Sequence, residues 1–513
     1  MEDFVRKNIH YIVAVFLLIG PILDFFTGIC LHYSCFVTLG VIARLFFLAF
    51  ICYIVLFVFK KRKLLVPYFL VGFYFLLYML GIFLYRNGYG FFFEVQNLVK
   101  VFYFPLMLVS LSMIREHIRI SKMVFSVTLF TYLFLILVPS VFHVGYRTYA
   151  ITKTGSLGFF HSANEISGIL SLLTPILFLS FFTWKRKIFK YLFVILYFIV
   201  ILMVGTKTPL LAFCFTLGVS LAYFLNHLRK KGQYSKIFFS CLAVFLAFSA
   251  FILFLPKTNF YKNIEVHLDF LEVDEVSDLF SKKNFDHFIF SQRLSFLENK
   301  STIYHEAPLY QKLFGVGYLL NRVEMKQIEM DYFDIFYNHG VIGFLLFFSL
   351  VGFVFFQVFR LPRQRTYEYL MLKTSFALIL ILSFFTGHIL ISPSVSFLCT
   401  VLILSLFGHS KGVGILLINE KLLEKGLDSH SVAFVSFYYS LQNLFHLLFF
   451  QILSYQLYDF CICDDTLACR KYGETLSPCV IIISEKKDVT SSFTKKEFLK
   501  KLDDGFLKKC KCI

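Results

Sequence analysis

Fixed cations and carboxylates set beside long apolar runs are the residues of this chain that could carry chemistry. Lys207 lies in VGTKTPLLAF (204–213), Arg293 in FSQRLSFLENK (290–300), and Arg147 between two apolar runs. Glu329 and Asp331 open EMDYFDIFYNHGVIGF (329–344), and His161, Asn164 and Glu165 fall within GFFHSANEISGIL (158–170). Cations held in place neutralise a departing phosphate through charge-assisted hydrogen bonds. A carboxylate near a hydroxyl orients it and takes its proton. For a phosphate-activated donor, were that the substrate, this set would divide as follows. Lys207 and Arg293, with Arg147 as a third candidate, would face the phosphate. Glu329 or Asp331 would serve as base, and Asn164, Glu165 and His161 would contact the substrate. No nucleotide, metal or other cofactor is needed for such a step. Cys461, Cys463 and Cys469 lack the paired spacing of a zinc site.

Each residue also has a plainer reading. Arg293 is placed to pair with Glu298, and Lys207, at a span boundary, to hold a lipid phosphate. Glu329, Asp331 and Asp334 read as an acidic helix start, since acids favour that end of the helix dipole. His161 beside Ser162 reads as a helix cap. Gly315, Gly317, Gly340 and Gly343 read as turn and close-packing glycines, because Gly-x-Gly alone is a weak phosphate signal.

The elements that must position these groups are membrane spans. Of 513 residues, 58% are hydrophobic and 16% charged, whereas soluble domains carry about 25% charged residues. Twelve stretches approach the roughly 20 apolar residues a span requires: 9–29, 36–59, 64–85, 92–113, 122–143, 163–183, 188–204, 208–226, 236–256, 335–358, 368–388 and 393–408. The first has no evident cleavage site and reads as a retained span. The net charge of +18 is spread over short clusters between spans, at 6–7, 60–63, 115–122, 184–187, 229–231 and 360–365. Alternate loops carry them, as the positive-inside rule requires of cytoplasmic loops. One continuous basic surface for nucleic acid is not implied. The expected fold is an all-α, polytopic helical membrane protein of the plasma membrane, with both termini cytoplasmic.

The domains expected are spans 1–9 over residues 1–256, an extracytoplasmic helical loop at 257–334, spans 10–12 over 335–408, and a cytoplasmic tail at 409–513. Segment 257–333 holds nine basic and twelve acidic residues and no cysteine. Phe296, Leu297, Tyr304, Leu309, Leu313 and Phe314 recur in it at helical spacing, which predicts amphipathic helices over the mouth of the bundle. The tail fits a small α/β appendage or a further interfacial helix near 431–456. Asp24, Arg44, Glu94, Lys100 and His388 are costly at membrane depth, so they belong in the bundle interior or a water-filled chamber.

These motifs, in this order, resemble the O-antigen polymerase and ligase superfamily of surface-polysaccharide assembly. GFFHSANEISG is similar to that family's Gly-Phe-x-x-x-x-Asn element. VGTKTPLLAF resembles its turn with a basic residue, usually Arg, for which Lys207 stands. FSQRLSFLENK matches the element that opens the helical part of its loop and places Arg293. LFGVGY with EMDYFDIFYNHGVIGF resembles its closing signature. The likeness covers about residues 10–408. It implies glycosyl transfer between polyprenyl-pyrophosphate-linked oligosaccharides at the outer membrane face, with membrane lipid and other polysaccharide-assembly proteins as partners. Ligases of the family tend to carry His-Asn where this chain has Glu329-Met330-Asp331, which favours a polymerase. Ligase-type transfer to another acceptor is the alternative within the family. Outside it stand a flippase or transporter for the lipid-linked unit, and a sensor or structural protein whose basic tail binds a cytoplasmic partner.

Overall fold

The computed structural model describes residues 2–409, apart from 34–38, 87, 150–153, 185, 271–283, 285, 287–289, 321–322 and 362–365. The appendage expected beyond 409 lies outside the described residues.

Long apolar runs in a lipid solvent fold as helices, because every backbone N–H and C=O must then be satisfied within the segment. Nine such helices come first: α1 (Glu2–His32), α2 (Leu39–Tyr53, prolonged by a π turn at Ile54–Val58), α3 (Leu65–Arg86), α4 (Phe91–Ser112), α5 (Lys122–Val141), α6 (Ala163–Thr183), α7 (Lys187–Val204), α8 (Lys207–Lys230) and α9 (Tyr234–Phe254). Three shorter helices follow, α10 (Asn259–Phe270), α11 (Arg293–Glu306) and α12 (Leu309–Phe314), then a two-stranded ribbon, β1 (Leu319–Leu320) and β2 (Val323–Glu324). The last spans are α13 (Asp331–Arg360), α14 (Tyr367–Phe385) and α15 (Pro393–His409). Among the described residues ten helices are long and apolar enough to cross a membrane, and α7 and α15 contribute two shorter apolar stretches. The chain is a polytopic, all-helical membrane protein.

α6 is the most enclosed of the ten long spans and packs against α5, α7, α8 and α14. The basic clusters at 6–7, 60–63 and 115–122 gather where α1 begins. Arg6 Nη2 donates to the Val58 carbonyl at 2.6 Å, and His117 meets the Phe59 ring edge-on. Arg115 hydrogen-bonds Gln357 at 2.6 Å and lies over the Phe407 ring. Asp24 stands 18 residues further along α1, about 27 Å away by helical rise.

Two spans are cut or broken by left-handed glycines where a continuous helix was expected. The stretch read as 368–388 stops being helical at Phe385, because Gly387 (φ 62°) and His388 (φ 57°) turn left-handed. α13 starts at Asp331 but breaks at Gly340 (φ 66°, ψ −174°). A methyl on Gly340 would stand 2.5 Å from the Gly315 nitrogen and the Leu313 carbonyl. Backbone thus meets backbone there, and glycine is required by contact as well as by torsion. The amphipathic pattern of the loop closes a small core of Tyr304, Val316, Met325, Ile328, Met330 and Tyr337, with Leu297 against it. Leu309, expected on the same face, is exposed.

Candidate functional site

Arg293 is aimed by the start of its helix. Ser291 and Gln292 adopt left-handed torsions (φ 54° and 67°). The Asp286 carboxylate then accepts the Leu294 and Ser295 amides, both at 3.0 Å, and the Ser295 hydroxyl at 2.6 Å. An acidic acceptor at a helix N-terminus satisfies amides that have no partner in the helix. The guanidinium is buried, at 8% exposure. Nη1 donates to the Phe385 carbonyl at 3.2 Å, and Nη2 to Glu329 Oε2 at 3.2 Å. Its partner is Glu329 and not the neighbouring Glu298.

Glu329 is itself left-handed (φ 63°), an uncommon torsion for a side chain with a Cβ. Three neighbours hold it there. The buried Asp334 carboxylate accepts the amides on either side, from Ile328 at 2.9 Å and Met330 at 3.1 Å. Asp331, fully buried, accepts the Ile389 and Leu390 amides at 2.9 and 2.7 Å, which pins the 386–390 turn against the start of α13. Gly387 presses its bare Cα onto the Glu329 backbone. Asp331, one of the two expected bases, engages backbone through Oδ2 alone; its buried Oδ1 has no hydrogen-bond partner among the described residues, and the residue does not line the neighbouring cavity. Glu329 keeps further partners. Asn164 Nδ2 donates to Oε2 at 3.1 Å, and Lys326 Nζ to Oε1 at 3.1 Å. Burial alone would push the Glu329 carboxyl up, but His388, Lys326 and Arg293 outweigh it and hold the group below its ordinary value.

Lys207 is the first residue of α8, following Gly205 (φ 75°), which ends α7. The Ser167–Thr206 hydroxyl contact at 2.7 Å ties this turn to α6. Lys207 lies close enough to Arg293 for their charges to interact. Tyr149 also lies in the field of Arg293; burial raises its hydroxyl, and a hydrogen bond to Asn263 and the guanidinium partly offset this. Asn164, Glu329, Arg293 and Lys207 therefore converge from four distant segments. Arg147 does not join them: it is exposed and makes no hydrogen bond or ion pair with them among the described residues. His161 is exposed, and its neighbour Ser162 is the helix cap, accepting the Glu165 amide at 3.3 Å.

A cavity of about 330 Å³ is lined by sequence neighbours of this cluster, though by none of its four members: the start of α6 (His161, Ser162, Glu165), the approach to Glu329 (Glu324, Gln327) and the turn at His388–Ser394. Glu165 accepts the Ser392 hydroxyl there at 2.8 Å. α1, α2 and α4 supply the remaining walls, including the buried Arg44–Asp24 ion pair at 2.6 Å. Tyr132 and Ser394 also donate to Asp24, at 2.6 and 3.1 Å. Glu94 lies apart, fully buried, and accepts from the Tyr78 hydroxyl at 2.7 Å and the Tyr318 amide at 2.8 Å.

Sequence reading missed His388, Lys326, Gln327 and Gly387 as parts of the site. His388 was visible only as a polar residue at membrane depth. The available signal was Thr386-Gly387-His388 within an otherwise apolar run, which reads as a turn once glycine is taken as a helix stop.

Residues 6–287 and 274–409 match the model of a family described as O-antigen ligase like membrane protein. No curated protein matches the chain. The match takes in well over half of the sequence, and the chain belongs to that family.

Proposed function

We propose that this member of the family is a membrane glycosyltransferase joining oligosaccharide repeat units carried on a polyprenyl diphosphate. The reading rests above all on the convergence of Lys207, Arg293, Asn164 and Glu329 beside a polar cavity. In the step proposed, an acceptor hydroxyl oxygen bonds to the anomeric carbon of the donor sugar. The bond from that carbon to the diphosphate oxygen breaks, and the polyprenyl diphosphate leaves with the electron pair. Arg293 and Lys207 take up its charge. Glu329, kept ionised by its cationic neighbours, orients the hydroxyl and accepts its proton. The isoprenoid tail stays in lipid beside the apolar helices. The basic helix ends face the cytoplasm, so transfer takes place on the opposite face of the membrane.

Glu329-Met330-Asp331 in place of the His-Asn of ligases favours polymerisation, in which the acceptor is a second lipid-linked unit. One observation favours ligase-type transfer instead: His388 stands beside Glu329, so a histidine reaches the site from another segment. Purified protein in lipid vesicles, given one synthetic lipid-linked repeat unit, separates the readings. A polymerase yields a ladder of glycans from that substrate alone, a ligase only after a different acceptor is added, and a flippase moves the unit without forming a bond. Absence of any new glycosidic bond under every ion condition would reject the transferase.

A further inference from the structure

We infer that the cavity beside the Arg293–Glu329 pair is a sugar subsite that takes the terminal, uncharged pyranose of the acceptor glycan, with Gln96, Asn97 and Lys100 as its main hydrogen-bonding ligands. The terms donor and acceptor rest on the transferase reading; the sugar chemistry of the cavity does not.

Three observations carry it. First, Gln96, Asn97 and Lys100 follow one another on a single face of α4, line the cavity, and make no side-chain hydrogen bond or ion pair to any described residue. All three are half-buried, and Lys100 also lies in the field of Glu165 and Glu324, so their polar ends are available to a molecule in the cavity. The rest of the site is different in kind, since Asp24, Arg44, Glu94, Asp331 and Asp334 all have close partners. Second, the polar groups on these walls are of mixed sign. Two amides both donate and accept, Lys100 only donates, and Glu324 only accepts. A sugar hydroxyl also donates and accepts, so a pyranose can meet all of them. A diphosphate offers acceptors alone and is better served by Arg293 with Lys207. Third, Leu31, Val41 and Ile391 keep part of their apolar surface exposed on the same walls, where the C–H groups of a pyranose can lie.

Size and substrate geometry assign the subsite to the acceptor. The volume is near the lower end of small-molecule pockets and suits about two hexose rings. The attacking sugar of an acceptor ends its glycan, so only one neighbour has to leave the pocket. The reacting sugar of a donor carries diphosphate on one side and its remaining glycan on the other. Walls at Glu165, Gln327 and His388 put the pocket next to the carboxylate that would take the hydroxyl proton.

The test uses the full chain in nanodiscs. Binding of methyl glycosides of neutral hexoses, N-acetylhexosamines and a hexuronic acid is followed by saturation-transfer NMR, for the wild type and for Asn97→Leu and Lys100→Met. Separately, acceptor and donor KM are measured with an acceptor glycan that carries no diphosphate and a lipid-linked donor whose acceptor hydroxyl is blocked. The expected result is that neutral glycosides bind the wild type and each variant weakens them about tenfold, as lost hydrogen bonds from a polar pocket should. Acceptor KM rises in parallel and donor KM stays within about twofold, which also shows that the variants are folded. The inference is overturned if no neutral glycoside binds, if the uronide alone binds, if both variants bind as the wild type does, or if donor KM rises instead. Neutral-glycoside binding lost in the variants of a protein that forms no glycosidic bond would reject the transferase and leave the sugar site standing.

Discussion

Replacing Gly387 by alanine should disable the site without touching a charged group. Gly387 has φ 62°, where a Cβ costs about 1–2 kcal/mol. Its new methyl would stand 2.9 Å from Glu329 Cα and closer still to the Glu329 carbonyl, whereas ordinary contact begins at 3.4 Å. The Glu329 turn must therefore retreat by at least about 0.5 Å, and overpacking of this kind adds about 1–3 kcal/mol. The Arg293–Glu329 contact is already 3.2 Å long, so such a shift takes it beyond hydrogen-bonding distance. A misplacement approaching 1 Å costs on the order of 100-fold in rate. Gly387→Ala should thus lower kcat for glycan transfer by about 10–100-fold and reduce the melting temperature in detergent. Gly72→Ala, where nothing lies within 4 Å of the new methyl, is the control. Wild-type kcat and melting temperature in Gly387→Ala would refute the argument that this glycine sets the carboxylate.

Arg293→Lys keeps the charge but cannot span the Phe385 carbonyl and Glu329 together. Transfer should fall in Arg293→Lys and fall further, by about 100–1000-fold, in Arg293→Ala, as read from kcat/KM. Because its cationic neighbours hold Glu329 below the ordinary carboxylate range, it is ionised at neutral pH. The acid limb of kcat/KM should therefore lie below the ordinary glutamate range, and Lys326→Met, which removes one of those cations, should move it upward. The stability linked to Glu329 has the same sign: it is present above the unfolded-state pKa and disappears as pH falls through the folded value. Arg44→Met leaves the Asp24 carboxylate only the Tyr132 and Ser394 hydroxyls and should cost about 3 kcal/mol, while Asp24→Asn with Arg44→Met should cost less than Arg44→Met alone; melting of the three proteins checks this.

The spans were legible because hydropathy and basic clusters report independently on the same boundaries. α6, expected at 163–183, runs Ala163–Thr183. Convergence at the site was harder to read. Arg293 and Glu329 are 36 residues apart, and Asn164 and Glu329 are 165 apart. Nothing local in any one segment records such pairings; only the family resemblance pointed to these positions together. Asp331 and Asp334 show the limit most clearly. Three acids in six residues look like a reactive or helix-starting cluster, but two of them brace backbone turns and leave Glu329 alone beside the cations. The left-handed turn at Gly387-His388 was hidden because strongly apolar residues on both sides carry a hydropathy window straight across it.

α9 contributes no buried side chain to the fold; it packs on α8 and the turn that follows it, and Phe251 meets Phe198 of α7 edge-on. In a bilayer most of its surface would meet hydrocarbon, a solvent that distinguishes poorly between leucine, phenylalanine and isoleucine. Selection on Tyr234–Phe254 therefore acts on length and greasiness, and residue identities there are free to drift. Divergence confined to this helix in related chains carries no message about substrate, whereas a single change on the polar face of α4 does.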